Sequence, residues 1–147
     1  MINPHMTYSG AGLQLTERAE AFCNTAYTDS GGVWTCGYGH TDGVGPSTTC
    51  DENLAQEWLL QDTQWAVNAV NNLVDIQLTQ GEFDALVDFT FNIGAHGFAQ
   101  STLLILLNKG DFANASLQFS RWDLCNGQVV AGLLNRRTME STEFNQT

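Results

Sequence analysis

The 147-residue sequence predicts an α+β fold in which a small β-sheet lobe and a larger all-helical lobe are joined by one long helix. Three observations predict it. Apolar residues recur at helical spacing before residue 27, a glycine-rich stretch of β-forming residues follows, and helical spacing returns after residue 50. A chain of this length forms a single domain over 1–147, and we expect a cleft between its lobes.

The first helix is predicted over roughly 13–26 because four apolar residues fall on one helical face: Leu15, Ala19, Phe22 and Ala26. Glu20 lies beside this face. We therefore expect its carboxyl group at the edge of a buried surface, where it is partly desolvated.

The β-lobe is predicted over about 27–50. Gly31-Gly32 is a turn signal, and the segment 33–38 alternates between two faces in the manner of a strand. Gly43 and Gly45 mark another turn. This pattern indicates a small hairpin or short sheet.

The rest of the chain, about 51–147, is predicted to be helical. Asp51 begins a long helix with apolar residues out to Leu73, and Thr79 with Glu82 forms a capping box for the next. Gly94 ends that helix as a left-handed cap. The remaining signals are helix starts at Ser101, Asp111 (a helix running past Trp122) and near Leu133, and a turn at Asn126-Gly127.

The charge distribution argues against nucleic acid as a partner. Residues 1–100 contain one basic residue, Arg18, against twelve acids, and the net charge of the chain is −11. A nucleic-acid-binding protein needs a basic surface. The sequence also has no apolar run of the ~20 residues that a membrane span needs, and its start lacks the pattern of a signal peptide. We expect a monomer without a membrane anchor.

The four cysteines show no spacing typical of a zinc site, so we predict no metal and no cofactor. Three disulfide pairings are possible, and the spacing does not choose among them. Four buried thiols are the alternative.

Glu20 and Asp29 suit the two roles that glycosidic-bond cleavage needs. One carboxyl group donates a proton to the leaving oxygen, and the other stays ionised to activate water or to stabilise positive charge. A carboxyl group beside an apolar face keeps its proton more readily than one in a polar turn. This pattern predicts Glu20 as the acid and Asp29 as its ionised partner.

The whole segment resembles the active-site segment of the phage-type lysozymes, or endolysins, of glycoside hydrolase family 24. The similarity runs from Glu20 through Asp29 and Thr35 to Gly37-x-Gly39-His40, with Tyr27 in the family's AY-x-D motif. It continues over roughly 13–140 in further segments: 78–80, 83–87, 89–94, 101–104, 107–112, 121–122 and 132–137.

The resemblance implies a lysozyme-like fold and a muramidase that hydrolyses the β-1,4 bond between N-acetylmuramic acid and N-acetylglucosamine of bacterial peptidoglycan. Glu20 would be the general acid, with Asp29 and Thr35 assisting attack by water. An inverting reaction would place the carboxyl groups about 6.5–9.5 Å apart, and retention stays open. The protein would reside in the host cytoplasm until lysis and then act on the cell wall.

The resemblance also implies supporting roles. His40 is expected to form an ion pair with Asp62 that braces strand against helix. Cys36 and Cys50 are expected to touch or form a disulfide, leaving Cys23 and Cys125 free. By position in matching segments, Phe91 and Ser101 are candidate substrate-binding residues; a core aromatic side chain and a helix N-cap are the alternative roles.

Two other functions stay open. A lytic transglycosylase would need only the acid, although the presence of Asp29 and Thr35 argues against it. A non-catalytic glycan-binding protein could share the fold, although Glu20 and Asp29 are both present. One departure from the family is Ala21, where glycine is usual after the glutamate; its methyl group is expected to crowd the cleft slightly.

Overall fold

The structure is a computed structural model that describes residues 6–125 and 128–146. Its first helix, α1, spans Gly10–Glu20, and Ser9 caps it by accepting a hydrogen bond from the N–H of Gly12. The predicted end at residue 26 is wrong. Ala21 leaves the helical conformation with φ 59° and ψ 149°, and the chain turns directly into the sheet.

The β-sheet consists of β1, Cys23–Thr28, and β2, Trp34–Gly37, paired antiparallel with Tyr27 opposite Thr35. The β-lobe therefore begins earlier than residue 27. The other edge of β1 is also paired, since the N–H of Ala26 donates to the carbonyl of Thr48 at 3.0 Å. Hydrogen bonds on both edges explain why these residues are strand rather than helix.

The predicted long connecting helix is divided into α2, Glu52–Asp62, and α3, Gln64–Leu73. Thr63 separates them, and its buried hydroxyl donates to the carbonyl of Leu59 at 2.9 Å. A threonine hydroxyl that bonds back to the preceding turn commonly bends a helix.

The helical lobe begins with α4, Gln80–Ile93, where the predicted capping box of Thr79 and Glu82 is confirmed. Gly94 has the expected positive φ of 97°, but its ψ of 153° is not that of a left-handed helical cap. The following elements are α5 (Ala95–Ala99), α6 (Thr102–Asn108), α7 (Phe112–Leu117), a 3₁₀ turn (Phe119–Trp122) and α8 (Ala131–Phe144).

Two details of the C-terminal third differ from the prediction. The helix that begins at Asp111 ends at Leu117 and is followed by the 3₁₀ turn, so it does not run past Trp122. A short hairpin of β3, Leu124–Cys125, and β4, Gln128–Val129, interrupts what was predicted to be entirely helical. The predicted turn at Asn126-Gly127 lies outside the described residues.

Helix α4 is the centre of the molecule, because it is buried continuously from Phe83 to Thr90 and packs against α1, α3 and α8. A second, smaller core lies under the sheet and consists of Tyr38, Ala55 and Leu59. Phe91 packs against both cores. The predicted α+β class with a small sheet is confirmed. In the described parts of the chain, no helix combines the length and hydrophobicity that crossing a membrane requires.

Candidate active site

Glu20 is the last residue of α1, and its side chain is 27% exposed. One carboxylate oxygen, Oε2, accepts a hydrogen bond from Nη1 of Arg136 on α8 at 3.0 Å. The turn after β2 lies close to the other side of this carboxylate. A Cβ added at Gly39 would be 3.7 Å from Oε1, and the φ of 84° at Gly39 disfavours any larger residue there. Glu20 therefore lies where α1, the sheet and α8 meet.

Asp29 follows β1 at the start of the turn to β2, and it is exposed. Its Oδ1 accepts hydrogen bonds from the N–H groups of Gly31 and Val33, both at 2.9 Å. An aspartate that accepts bonds from its own turn has a fixed side-chain orientation. The local sequence thus holds the Asp29 carboxylate in place without help from the helical lobe.

Thr35 lies on β2 opposite Tyr27 and is 5% exposed. Its hydroxyl group donates to the carbonyl of Val33 at 3.0 Å. Because the hydroxyl proton is used in this bond, the oxygen of Thr35 is left to act as an acceptor.

The phenol of Tyr27 feels the charge of both predicted catalytic carboxylates. Burial raises the pKa of Tyr27, and the negative charges of Cys23, Glu20 and Asp29 raise it further. The phenol therefore lies within electrostatic range of both carboxyl groups, although its side chain is on the surface at 42% exposure. The sequence motif contains Tyr27, but we assigned it no role.

Arg136 and Asp88 are site residues that the sequence analysis missed. Arg136 donates from Nε and Nη2 to the two oxygens of Asp88, at 3.0 and 2.8 Å, while its Nη1 bonds Glu20. Asp88 is fully buried on α4. The available signal was an aspartate within the apolar stretch 83–91, where a buried charge requires a partner.

The electrostatics of this cluster favour the charged forms of Arg136 and Asp88. Burial alone would lower the pKa of Arg136, but the hydrogen bonds that it donates to Asp88 and the negative charges of Asp88, Glu20 and Glu140 raise it overall. Burial likewise opposes ionisation of Asp88, yet its bonds to Glu140 and Arg136 lower its pKa. The pKa of Glu140 is raised well above its usual value by burial and by its neighbour Asp88.

His40 and Asp62 are brought together as the sequence analysis expected. His40 Nδ1 lies 2.8 Å from Asp62 Oδ2, and the imidazole is buried and stacked on Trp58 with ring centroids 4.4 Å apart. This contact joins the turn after β2 to α2. The histidine faces α2 and, among the hydrogen bonds of the described residues, makes none with either predicted catalytic carboxylate.

Cys36 and Cys50 touch, with their sulfur atoms 3.5 Å apart, and Cys23, Cys36 and Cys50 are free thiols. Burial and the neighbouring Cys36 raise the pKa of Cys50 to about 11. The side chain of Cys125 lies outside what the structure describes. No group of three or more His, Cys, Asp or Glu side chains is arranged for a metal ion in the described ranges.

Phe91 and Ser101 have the structural roles that were the alternatives to substrate binding, a core aromatic side chain and a helix N-cap. Phe91 is half-buried and contacts the exposed ring of Trp65, with centroids 5.9 Å apart. Ser101 is 3% exposed, and its hydroxyl caps α6 by accepting from Leu104 N–H while donating to the Phe98 carbonyl. Substrate contact stays a prediction for both residues, and Ser101 presents almost no surface for it.

One cavity of the structure lies apart from the predicted catalytic side chains. A cavity of about 280 Å³ lies between α1 and α8, lined in part by Leu15, Arg18 and Met139, and it contains none of the predicted catalytic side chains.

Comparison with solved structures defines the class of fold as lysozyme-like. The muramidase domain of SpmX from Asticaccaulis excentricus superimposes with a TM-score of 0.91 at 37% identity, covering 97% of this chain and 100% of that one. A P22 lysozyme mutant gives 0.89 at 33% identity, with 97% and 100% covered.

The sequence profile described as phage lysozyme matches residues 17–140, and the chain belongs to this family. An endolysin of Bacillus phage PZA is 38% identical over 95% of the chain. The chain spans about half the length of the Bacillus phage relatives that it matches, 55% in that case.

Proposed function

We propose that this protein is a muramidase that degrades bacterial peptidoglycan by hydrolysing the β-1,4 bond between N-acetylmuramic acid and N-acetylglucosamine. Membership of the phage lysozyme family supports the enzyme class. The observation that carries the proposal is the position of Glu20, whose partly exposed carboxylate lies between Arg136 of α8 and the turn after β2. Glu20 ends α1 and Asp29 follows β1, so the proposal draws its two carboxyl groups from different elements, as cleavage of a glycosidic bond requires.

In the proposed reaction, Glu20 donates its proton to the glycosidic oxygen as the bond to the sugar carbon breaks. A water molecule attacks that carbon and gives its proton to the ionised Asp29. The acceptor oxygen of Thr35 helps to orient the water. Atoms balance as one water consumed and one new reducing end formed, and no metal or cofactor takes part. The protein acts on the cell wall of the host.

The test is a turbidity assay of wall lysis that compares the wild type with Glu20→Gln. Removing a general acid lowers the rate by about 10²–10⁴-fold. Glu17→Gln is the matched control, because Glu17 is also on α1, one turn earlier, and makes no contact with Arg136 in the described hydrogen bonds. We expect the control to lyse walls at the wild-type rate. Equal rates for wild type and Glu20→Gln would refute the proposal.

Mass spectrometry of the released fragments separates hydrolysis from the transglycosylase alternative. Hydrolysis gives reducing ends that contain the added water, whereas a transglycosylase leaves anhydro ends. Anhydro products would overturn the assignment of water as the acceptor and with it the roles of Asp29 and Thr35.

A further inference from the structure

Arg136 creates a chemical difficulty for the proposed acid. A general acid must hold a proton, and a guanidinium group at 3.0 Å from its carboxyl oxygen favours the ionised form. An opposite charge within about 4–6 Å typically moves a carboxyl titration by 1–3 pH units. A second negative partner for Arg136 would weaken this effect of the guanidinium on the carboxyl group.

We propose that Asp88 is a positioning residue that takes up the charge of Arg136 and thereby lets Glu20 hold its proton. The inference rests on the proposed function, because it explains how the acid of that reaction is kept competent. Asp88 touches no reacting atom in this scheme and acts only through Arg136.

The geometry favours Asp88 as the main partner of the arginine. Two of the three guanidinium nitrogens point to Asp88 and one to Glu20. Bidentate pairs of this kind are the strongest form of charged hydrogen bond. Asp88 is also completely buried, whereas Glu20 is 27% exposed, so the attraction between Asp88 and Arg136 is screened less by water.

Asp88 is itself held from the first helix. The hydroxyl of Thr16 on α1 donates to Asp88 Oδ1 at 2.7 Å, and the Tyr8 hydroxyl lies 2.6 Å from that of Thr16. Since Glu20 ends the same helix, this chain of bonds fixes both the acid and its arginine relative to α4. The position of the guanidinium is therefore set by the buried core and not by the exposed carboxylate.

The other charged groups around Arg136 are more distant or otherwise engaged. Glu140 on α8 lies 3.9 Å from the Arg136 Nε and is paired mainly with Arg137 at 2.7 Å. Arg137 bonds Asn92 and lies over the Phe89 ring, away from Glu20. From the sheet side, the phenol of Tyr27 lies within electrostatic range of Glu20. Glu140 would supply part of the negative charge if Asp88 were neutral, which keeps the expected effect near the lower end of the range.

The experiment compares Asp88→Asn with Asp84→Asn in the full chain. Asp84 is a matched control, because it is a buried aspartate on the same helix whose partners are Ser9 and Gln80. The titration of the Glu20 carboxyl carbon is followed by NMR after ¹³C-glutamate labelling, with Glu20→Gln assigning the signal. We expect the midpoint to fall by about 1 pH unit in Asp88→Asn and to stay at the wild-type value in Asp84→Asn.

The pH–rate profile of wall lysis gives a second readout. In Asp88→Asn the alkaline limb of the profile should shift to lower pH by the same amount, about 1 pH unit. The rate at any pH on that limb should then be tenfold lower, while KM changes little. A merely structural role for Asp88 would lower the melting temperature without moving the limb. An unmoved Glu20 titration in folded Asp88→Asn, or an equal movement in Asp84→Asn, overturns the inference.

A second variant covers failure of Asp88→Asn to fold. Replacing both partners of a buried ion pair costs less stability than removing one, so the double variant Arg136→Met/Asp88→Asn is titrated beside the wild type. A Glu20 midpoint at or above the wild-type value supports action through Arg136, because no unpaired guanidinium is left to favour the ionised form, and a midpoint about 1 pH unit below it refutes that action. The titrations need no catalysis, so they test the coupling even if the chain hydrolyses no peptidoglycan.

Discussion

The backbone at Ala21 is strained, and relieving it should stabilise the protein. Ala21 has φ 59° and ψ 149°, close to a region of backbone space that is essentially restricted to glycine, and it is the one non-glycine residue with positive φ among those described. Such a conformation costs on the order of 1–3 kcal/mol. Ala21→Gly removes this cost but adds about 0.5–1 kcal/mol of backbone entropy to the unfolded chain.

The net gain expected for Ala21→Gly is about 1 kcal/mol. The methyl group is exposed, so its loss removes no buried surface, and the bond from the Ala21 N–H to the Glu17 carbonyl is kept. For a domain of this size, 1 kcal/mol corresponds to a rise in melting temperature of about 2–4 °C. The sequence analysis expects the methyl group of Ala21 to crowd the cleft. In the structure, the feature that disfavours alanine at this position is its backbone conformation.

Thermal unfolding followed by circular dichroism measures this gain. Ala19→Gly is the matched control, because Ala19 lies in helical conformation two residues earlier on α1. The same substitution there should destabilise the protein by about 0.5–1 kcal/mol. If Ala21→Gly melts at or below the wild-type temperature, the strain at this position does not exist in solution.

Two further predictions concern the sheet lobe. Mild oxidation should join Cys36 to Cys50, whose sulfur atoms are 3.5 Å apart, and thiol counting of the denatured chain with and without reductant should show the loss of two thiols. The rate of this oxidation should rise with pH, because the Cys50 pKa of about 11 keeps its thiol protonated at neutral pH. Each pH unit below 11 lowers the fraction of reactive thiolate tenfold. An oxidation rate that does not change between pH 7 and 9 would contradict this prediction. Asp62→Asn should cost about 1 kcal/mol in urea unfolding, a value reduced because the Asp62 side chain is 29% exposed, and Asp51→Asn, which keeps a helix cap, should cost little. Equal losses in the two variants would mean that the contact between His40 and Asp62 adds no stability.

Local signals in the sequence predicted much of the helical lobe. The capping box at Thr79 and Glu82 acts within four residues, and the helix starts at Ser101 and Asp111 depend on side chains that cap their own first turn. Such signals need no knowledge of distant contacts, and the structure confirms these starts.

The errors came from interactions that are remote in sequence. Alanine is the best helix former, so nothing local at Ala21 announces that α1 ends there. The end is imposed because the following residues pair with Thr48 and with β2. Thr63 reads as an ordinary helical residue, and its bend depends on where the hydroxyl bonds.

The candidate site shows the same division. Asp29 is oriented by its own turn, so its placement follows from the local sequence. Arg136 and Asp88 are 48 residues apart, and Arg136 lies 116 residues from Glu20. Only the folded core brings these three together, which is why spacing alone could not reveal the arginine or its aspartate.

The dependence of Glu20 on α8 has a consequence for biosynthesis. While the ribosome still encloses residues 131–144, the segment that carries the proposed acid and its sheet is complete, but the guanidinium that orients the acid is absent from the folded part. A nascent chain should therefore have no properly assembled site until α8 emerges and docks on α4. Partly made chains that lack α8 therefore lack the partner that holds the proposed acid.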